Sequence, residues 1–316
     1  MFALIAIVGS LVGLWSSWRV DDARAADAVS VDGPAAGTLA ALAPSTAARP
    51  VAVGQVTSLS APVFTPPRRW RTRQQEFERT DDLFGFVQRL QPAAHAGDAE
   101  ARWLVSRANE YCAGYARAPA DYARDTALIE GLELRAARPL GRARSRVAAR
   151  CQRFAPEDPV GFVQLVAQRE EAALAGSLAA EAALLAMGEP LADDELYRTD
   201  LVERVQASRD PDAYAALAPA MGLAAAGDAA LAGQVAGSQA AELAWQLAAC
   251  RLGLDCSPAG ALMTTYCANG GICARQPRQD FSSFVLEAAL SPKDADEVEK
   301  WVDELVREPD IGMVMR

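Results

Sequence analysis

Six cysteines constrain this chain more than any other feature. Cys112, Cys151, Cys250, Cys256, Cys267 and Cys273 all lie in the second two-thirds of 316 residues, behind an apolar N-terminal run. An even set behind an export-like segment places the folded part where thiols oxidise, and predicts three intramolecular disulfides. Cys112 falls toward the end of one amphipathic helical pattern and Cys151 on the apolar face of another, so a bridge between them would staple two helical pairs. A loop of that size is worth about 4 kcal/mol in the chain-entropy model. The other four form a compact module spaced C-x5-C-x10-C-x5-C. Zinc fits it poorly, because there is no C-x2-C pair and the only histidine, His95, is far away in sequence.

Four cysteines allow three pairings. A helix from about Ser238 to Leu252 should stop at Gly253, and a second should start with Ser257 as N-cap and Pro258 at N1 and stop at Asn269-Gly270-Gly271. Antiparallel packing of this hairpin favours Cys250 with Cys267 and leaves Cys256 for Cys273.

The run Phe2 to Trp18 carries no charge and ends at Arg19, Asp21 and Asp22. It reads as a membrane-directed segment, longer than the usual core of a signal peptide and slightly short of the roughly 20 residues that span a bilayer. No basic stretch precedes it, which favours an uncleaved anchor over residues 1–19. The triplets Ala23-Arg24-Ala25 and Ala26-Asp27-Ala28 keep a cleaved, released form as the alternative. Gly9 and Gly13 are spaced to let two membrane helices approach, so self-association stands beside a protein partner as an expectation. Residues 20–75 are Ala- and Pro-rich without period and read as a disordered tether. It ends in Arg68, Arg69, Trp70, Arg71 and Arg73, a solvated edge of the first helix or a contact for anionic lipid. Nucleic acid is a poor partner across a membrane.

The remainder reads as all-α, with a helical-repeat region over 76–237 and a disulfide-rich helical region over 238–316. Leu104, Ala108, Tyr111 and Tyr115 recur at helical spacing, as do Leu140, Ala143, Val147, Cys151 and Phe154. The last helix should begin with Ser291 as N-cap and Pro292 at N1, and bury Val298, Trp301, Val302 and Leu305. A short element recurs. Ala93 to Ala101 has the form Ala-Ala-x-x-Gly-Asp-x-x-Ala, Ala172 to Ala180 repeats it with Ser for Asp, and Leu223 to Leu231 is a degenerate copy around Gly227-Asp228. Glycine suits the left-handed end of one helix and Asp or Ser the cap of the next, so each copy predicts a helix-to-helix corner.

At these residues the chain resembles the Sel1-like branch of tetratricopeptide-type repeat proteins. The resemblance implies an irregular helical solenoid used for protein–protein scaffolding. The copies begin at 93, 172 and 223, unevenly and further apart than the roughly 34 residues of the related repeat, and the Leu-Gly that usually follows is missing. An Ala-rich helical protein of another kind accounts for such corners equally well.

Catalytic signals are few. A single histidine removes every His-pair metal site, and His95 sits in a helix joint where a cap or surface role is expected. No nucleotide-binding glycine loop, nucleophile elbow or zinc-protease helix is present. Asp193-Asp194-Glu195 and Asp294, Asp296, Glu297 stand at helix starts, where carboxylates complement the dipole. No cofactor or metal is therefore expected. Arg142, Arg146, Arg150 and Arg153 fall on one helix face opposite Leu140, Val147 and Cys151. Like charges at that spacing repel, so an anionic neighbour is implied: an internal acid such as Asp121, Asp125, Glu130 or Glu133, or an acidic partner. With a net charge of -10, the internal answer is the default and these arginines are the candidate partner-binding residues. Together these features point to a non-catalytic, membrane-tethered periplasmic scaffold or binding module. A carboxylate-dependent hydrolase of cell-wall polymer and a soluble binder released by cleavage are the alternatives.

Overall fold

In the computed structural model, residues 68–158 and 161–307 are described. The expected anchor, the first part of the tether and the Gly9/Gly13 pair lie outside them. Thirteen α-helices, two 3-10 turns and one π turn follow each other, with no strand among the described residues. The helices are α1 (Arg68–Arg79), α2 (Leu83–His95), α3 (Ala99–Ala116), α4 (Pro119–Glu130), α5 (Ala137–Cys151), α6 (Phe162–Leu174) and α7 (Leu178–Met187). They continue as α8 (Glu195–Ser208), α9 (Pro211–Met221), α10 (Gln239–Leu252), α11 (Ala261–Gly270), α12 (Phe281–Phe284) and α13 (Pro292–Leu305). Because α1 starts at Arg68, residues 68–75 of the stretch read as tether are helical.

Side-chain caps set most helix starts. Asp82, Asp98, Ser177, Asp194, Asp210, Ser238, Asp280 and Ser291 each accept a hydrogen bond from a backbone N–H of the first turn. The recurring element does form corners. At the first, Gly97 takes φ +88°, Gly97 N–H donates to Ala94 O and Asp98 N–H to Ala93 O at 3.0 Å. The second repeats the pattern: Gly176 takes φ +103° and Ser177 N–H donates to Ala172 O at 2.9 Å. Both are Schellman ends that run directly into an N-cap. The degenerate copy keeps the left-handed Gly227 and the Asp228 cap, but joins two 3-10 turns instead of two helices.

One hydrophobic core runs from Phe77 to Leu305. Helix α9 is central, packed against α7 and α10. Its Tyr214 is fully buried beside Trp245, with ring centroids 5.0 Å apart, and its hydroxyl donates to Leu305 O at 2.9 Å. That bond ties down the end of α13, whose buried Val298, Val302 and Leu305 and Ser291 cap match the sequence pattern.

The cysteines form three bridges, but not all those expected. Cys112 and Cys151 join α3 to α5. The remaining pairs are Cys250 with Cys256 and Cys267 with Cys273, which corrects the Cys250–Cys267 and Cys256–Cys273 pairing. The reason is tertiary. Helix α11 packs against α5 instead of lying along α10, which it meets where the Tyr266 hydroxyl donates to Gln246 Oε1 at 2.6 Å. It also starts three residues later than expected, at Ala261, because Asp255 accepts from Ser257 N–H and holds a turn where the N-cap was placed. Each local bridge then closes the same device: a helix ends, a left-handed glycine (Gly253 or Gly271) reverses the chain, and the next cysteine returns to the last turn.

Candidate functional site

The densest group of ionisable side chains lies between α1, α3 and the start of α9. The segment Asp210-Pro211-Asp212 begins α9 with Asp210 as N-cap and Pro211 at N1, which points both carboxylates into the first turn. The first turn is buried against α3. Asp212 accepts from Arg107 Nη1 at 2.9 Å, Gln74 Nε2 at 2.8 Å and, more weakly, Trp103 Nε1 at 3.4 Å. Arg107 turns its other nitrogen to Glu78, with Nη2 to Oε1 at 3.3 Å, and lies over the Phe77 ring at 4.4 Å. Glu78 in turn accepts from the backbone N–H of Ala261 at 2.9 Å and so caps α11.

A second arginine continues the group. Arg73 Nη1 reaches Asp98 at 2.9 Å and Glu100 at 3.2 Å. Five carboxylates, from Glu78, Asp98, Glu100, Asp210 and Asp212, thus face two guanidinium groups, those of Arg73 and Arg107. Ionising Glu78, Glu100, Asp210 and Asp212 together in a buried setting is unfavourable. Burial accordingly raises Asp212 against the pull of Arg107, raises Asp210 together with the charge of Asp212, and raises Glu78 against Arg107. Burial also carries Glu100 up to about 7, and one of its oxygens, Oε1, is enclosed without a hydrogen-bond partner. Elsewhere Glu242 is raised to about 7 by burial alone. The buried Tyr266 hydroxyl is raised as well, and stays a donor to Gln246. Among the described residues, no group of three or more His, Cys, Asp or Glu side chains is arranged to hold a metal ion.

No family model, no curated protein and no solved structure matches this chain. The reading of the site therefore rests on its own geometry.

The four arginines singled out in the sequence do not share one open face. Only Arg142 is exposed and outside the contacts of its neighbours. Arg146 donates to Thr264 Oγ1 on α11 at 3.0 Å. Arg150 is 4 % exposed, donates to the carbonyl oxygens of Phe77 and Thr80, and lies over Tyr111 at 4.8 Å. It thereby satisfies the C-terminal end of α1, where a cation also suits the helix dipole. Arg153 pairs with Asp82 at 2.6 Å and lies over Phe84. The neighbours are thus two backbone carbonyls, a threonine hydroxyl and one anion, Asp82. Of the acids named from sequence, Asp121 and Asp125 lie beside Arg124, Glu130 folds over Gly141 and Glu133 is exposed. His95 is exposed at the end of α2.

The Glu78–Arg107–Asp212 group escaped the sequence reading because its members are 29 and 105 residues apart. Two local signals did exist. Arg107 lies one helical turn after Trp103, and two acids flank a proline at a helix start. No helix among the described residues is long and apolar enough to cross a membrane.

Proposed function

We propose that this chain is a non-catalytic binding module that presents a rigid helical surface to a protein partner in an oxidising compartment outside the cytoplasm. The disulfides support the oxidising compartment: all six cysteines are paired. One observation carries the binding reading. Outer helices of a cross-linked core leave large apolar side chains in solvent, with Val163 and Leu174 on α6 at 65 % and 79 % exposure and Leu196 on α8 at 77 %. Apolar groups held open on a rigid frame lose little conformational entropy on docking. Arg150 and Arg107 are engaged inside the fold and hold helices together.

The N-terminal apolar run supports delivery of this surface from a membrane, as the sequence reading expects. Photo-crosslinking residues at Leu174 and Leu196 of the full chain, followed by peptide mapping from envelope extracts, test the proposal. A discrete heterologous adduct lost with Leu174→Asp supports it. Adducts at neither position, or adducts only between copies of this chain, overturn a heterologous partner.

A further inference from the structure

The tip of the α4–α5 hairpin gathers three exposed leucines in one short stretch of chain. Leu128, Leu132 and Leu134 are 65 %, 52 % and 63 % exposed and fall within one turn-and-a-half of chain. A type of turn that reverses α4 into α5 holds them there: Leu132 N–H donates to Ile129 O, and Ala137 N–H to Leu134 O, both at 3.0 Å. Arg135, Arg138 and Arg142 follow at once, all exposed and in no ion pair among the described residues. Two acids share the tip. Glu130 folds back over Gly141, and Glu133 stands in solvent. The base of the hairpin is fixed by Arg144, which donates to Thr126 Oγ1 at 2.9 Å and to Tyr122 O, and by the Cys112–Cys151 bridge beneath it.

Three leucines ahead of three unpaired arginines match one surface in particular. Apolar side chains enter the acyl boundary of a bilayer while arginines stay at the level of its anionic headgroups. The comparison with another exposed pair shows that charge decides. Leu191 and Leu196 are also exposed and near in sequence, but Asp193, Asp194 and Glu195 stand between them in the chain. An anionic surface repels that loop. The whole chain carries -10, so only a local cationic patch can bring it to such a surface.

We propose that the α4–α5 tip is a peripheral docking surface for an anionic lipid bilayer, with Leu128, Leu132 and Leu134 inserting and Arg135, Arg138 and Arg142 meeting the headgroups. The docking is independent of the protein-binding face on α6 and α8. It sets the orientation in which that face is held at a membrane.

The test is hydrogen–deuterium exchange on the full chain reconstituted with vesicles of equal parts phosphatidylcholine and phosphatidylglycerol, against vesicles of phosphatidylcholine alone. Amides over 128–136 should slow at least about tenfold on the anionic vesicles only, as expected of a segment ordered at an interface. L132D/L134D should abolish the slowing, and R135E/R138E/R142E should abolish it as well, because an anionic surface repels the reversed patch. Both variants change exposed side chains, and an unchanged melting temperature confirms that they fold. The milder Leu132→Ser serves where they do not. A chain that floats with the vesicles but shows no slowing at the tip loses the docking and keeps N-terminal anchoring. A chain that floats with neither vesicle loses both. Slowing that rises with protein concentration and ignores lipid charge assigns the tip to a second copy of the chain and overturns the proposal.

Discussion

Arg107 donates to the Asp212 carboxylate at 2.9 Å across 105 residues of sequence, and through its other nitrogen holds Glu78. The side chains of Glu78 and Asp212 are 4 % and 1 % exposed, so neither acid has water to fall back on. Replacing Arg107 with Met should destabilise the fold by about 3–5 kcal/mol, because the loss is that of two stranded buried carboxyls and not of one attraction. Arg107→Lys should recover only part, since an ammonium group lacks the fork that reaches both partners. Chemical denaturation of the three proteins measures this.

The same group makes stability depend on pH. Glu78, Glu100, Asp210, Asp212 and Glu242 all have carboxyls raised above their ordinary values by burial, Glu100 and Glu242 to about 7. In that window the folded state binds more protons than the unfolded chain, so stability falls as pH rises. Asp82 acts in the opposite sense, because the Gly85 N–H and Arg153 lower it, and its contribution is lost on strong acidification. Thermal melts should therefore peak on the mildly acidic side, at roughly pH 4 to 6, and decline through neutrality. Glu100→Gln and Glu242→Gln together should flatten the decline. A melting temperature that climbs from pH 5 to pH 8 would show that these carboxyls are ionised in the fold.

What the sequence disclosed, and what it did not, divides by distance along the chain. The Gly97-Asp98 and Gly176-Ser177 corners and the Ser291 cap are decided within a few residues, and each was legible. The Cys112–Cys151 bridge was legible too, because the other four cysteines form a compact module of their own and these two lie in amphipathic helical patterns. The start of α11 was misplaced by competition between two local caps, Ser257 and Asp255. The neighbour of α11 was misplaced because Arg146 and Thr264, which meet at 3.0 Å, are 118 residues apart. The arginine face failed for a related reason. A helical wheel shows that Arg150 opposes Leu140, but not that the end of α1 lies over it with unsatisfied carbonyls.

The local pairing of the last four cysteines has a direct chemical readout. Cleavage after Arg251, Met263 and Arg275 without reduction separates Cys250, Cys256 and the Cys267–Cys273 segment into three peptides. With Cys250–Cys256 and Cys267–Cys273 bridged, the first two should remain joined and the third should come off alone, two mass units lighter than its reduced form. The hairpin pairing would instead hold all three together. Removing the long-range bridge with C112S/C151S should cost about 4 kcal/mol, given the 39 residues that separate its ends.

The two matching corners yield a prediction with its own control. At Gly97 and Gly176 an added methyl group meets no atom within 4 Å, so space does not forbid alanine. Backbone conformation does, because φ of +88° and +103° lies where side chains are rarely carried. Gly97→Ala and Gly176→Ala should each destabilise by about 1–2 kcal/mol. Gly114 is equally open but sits inside the exposed face of α3 with ordinary helical backbone. There the same substitution should stabilise by about 0.5–1 kcal/mol, since alanine forms helix more readily than glycine. Opposite signs at positions with equal free space, measured by denaturation, would isolate the left-handed backbone as the cause. A gain at all three would mean that the corners relax out of that conformation without loss.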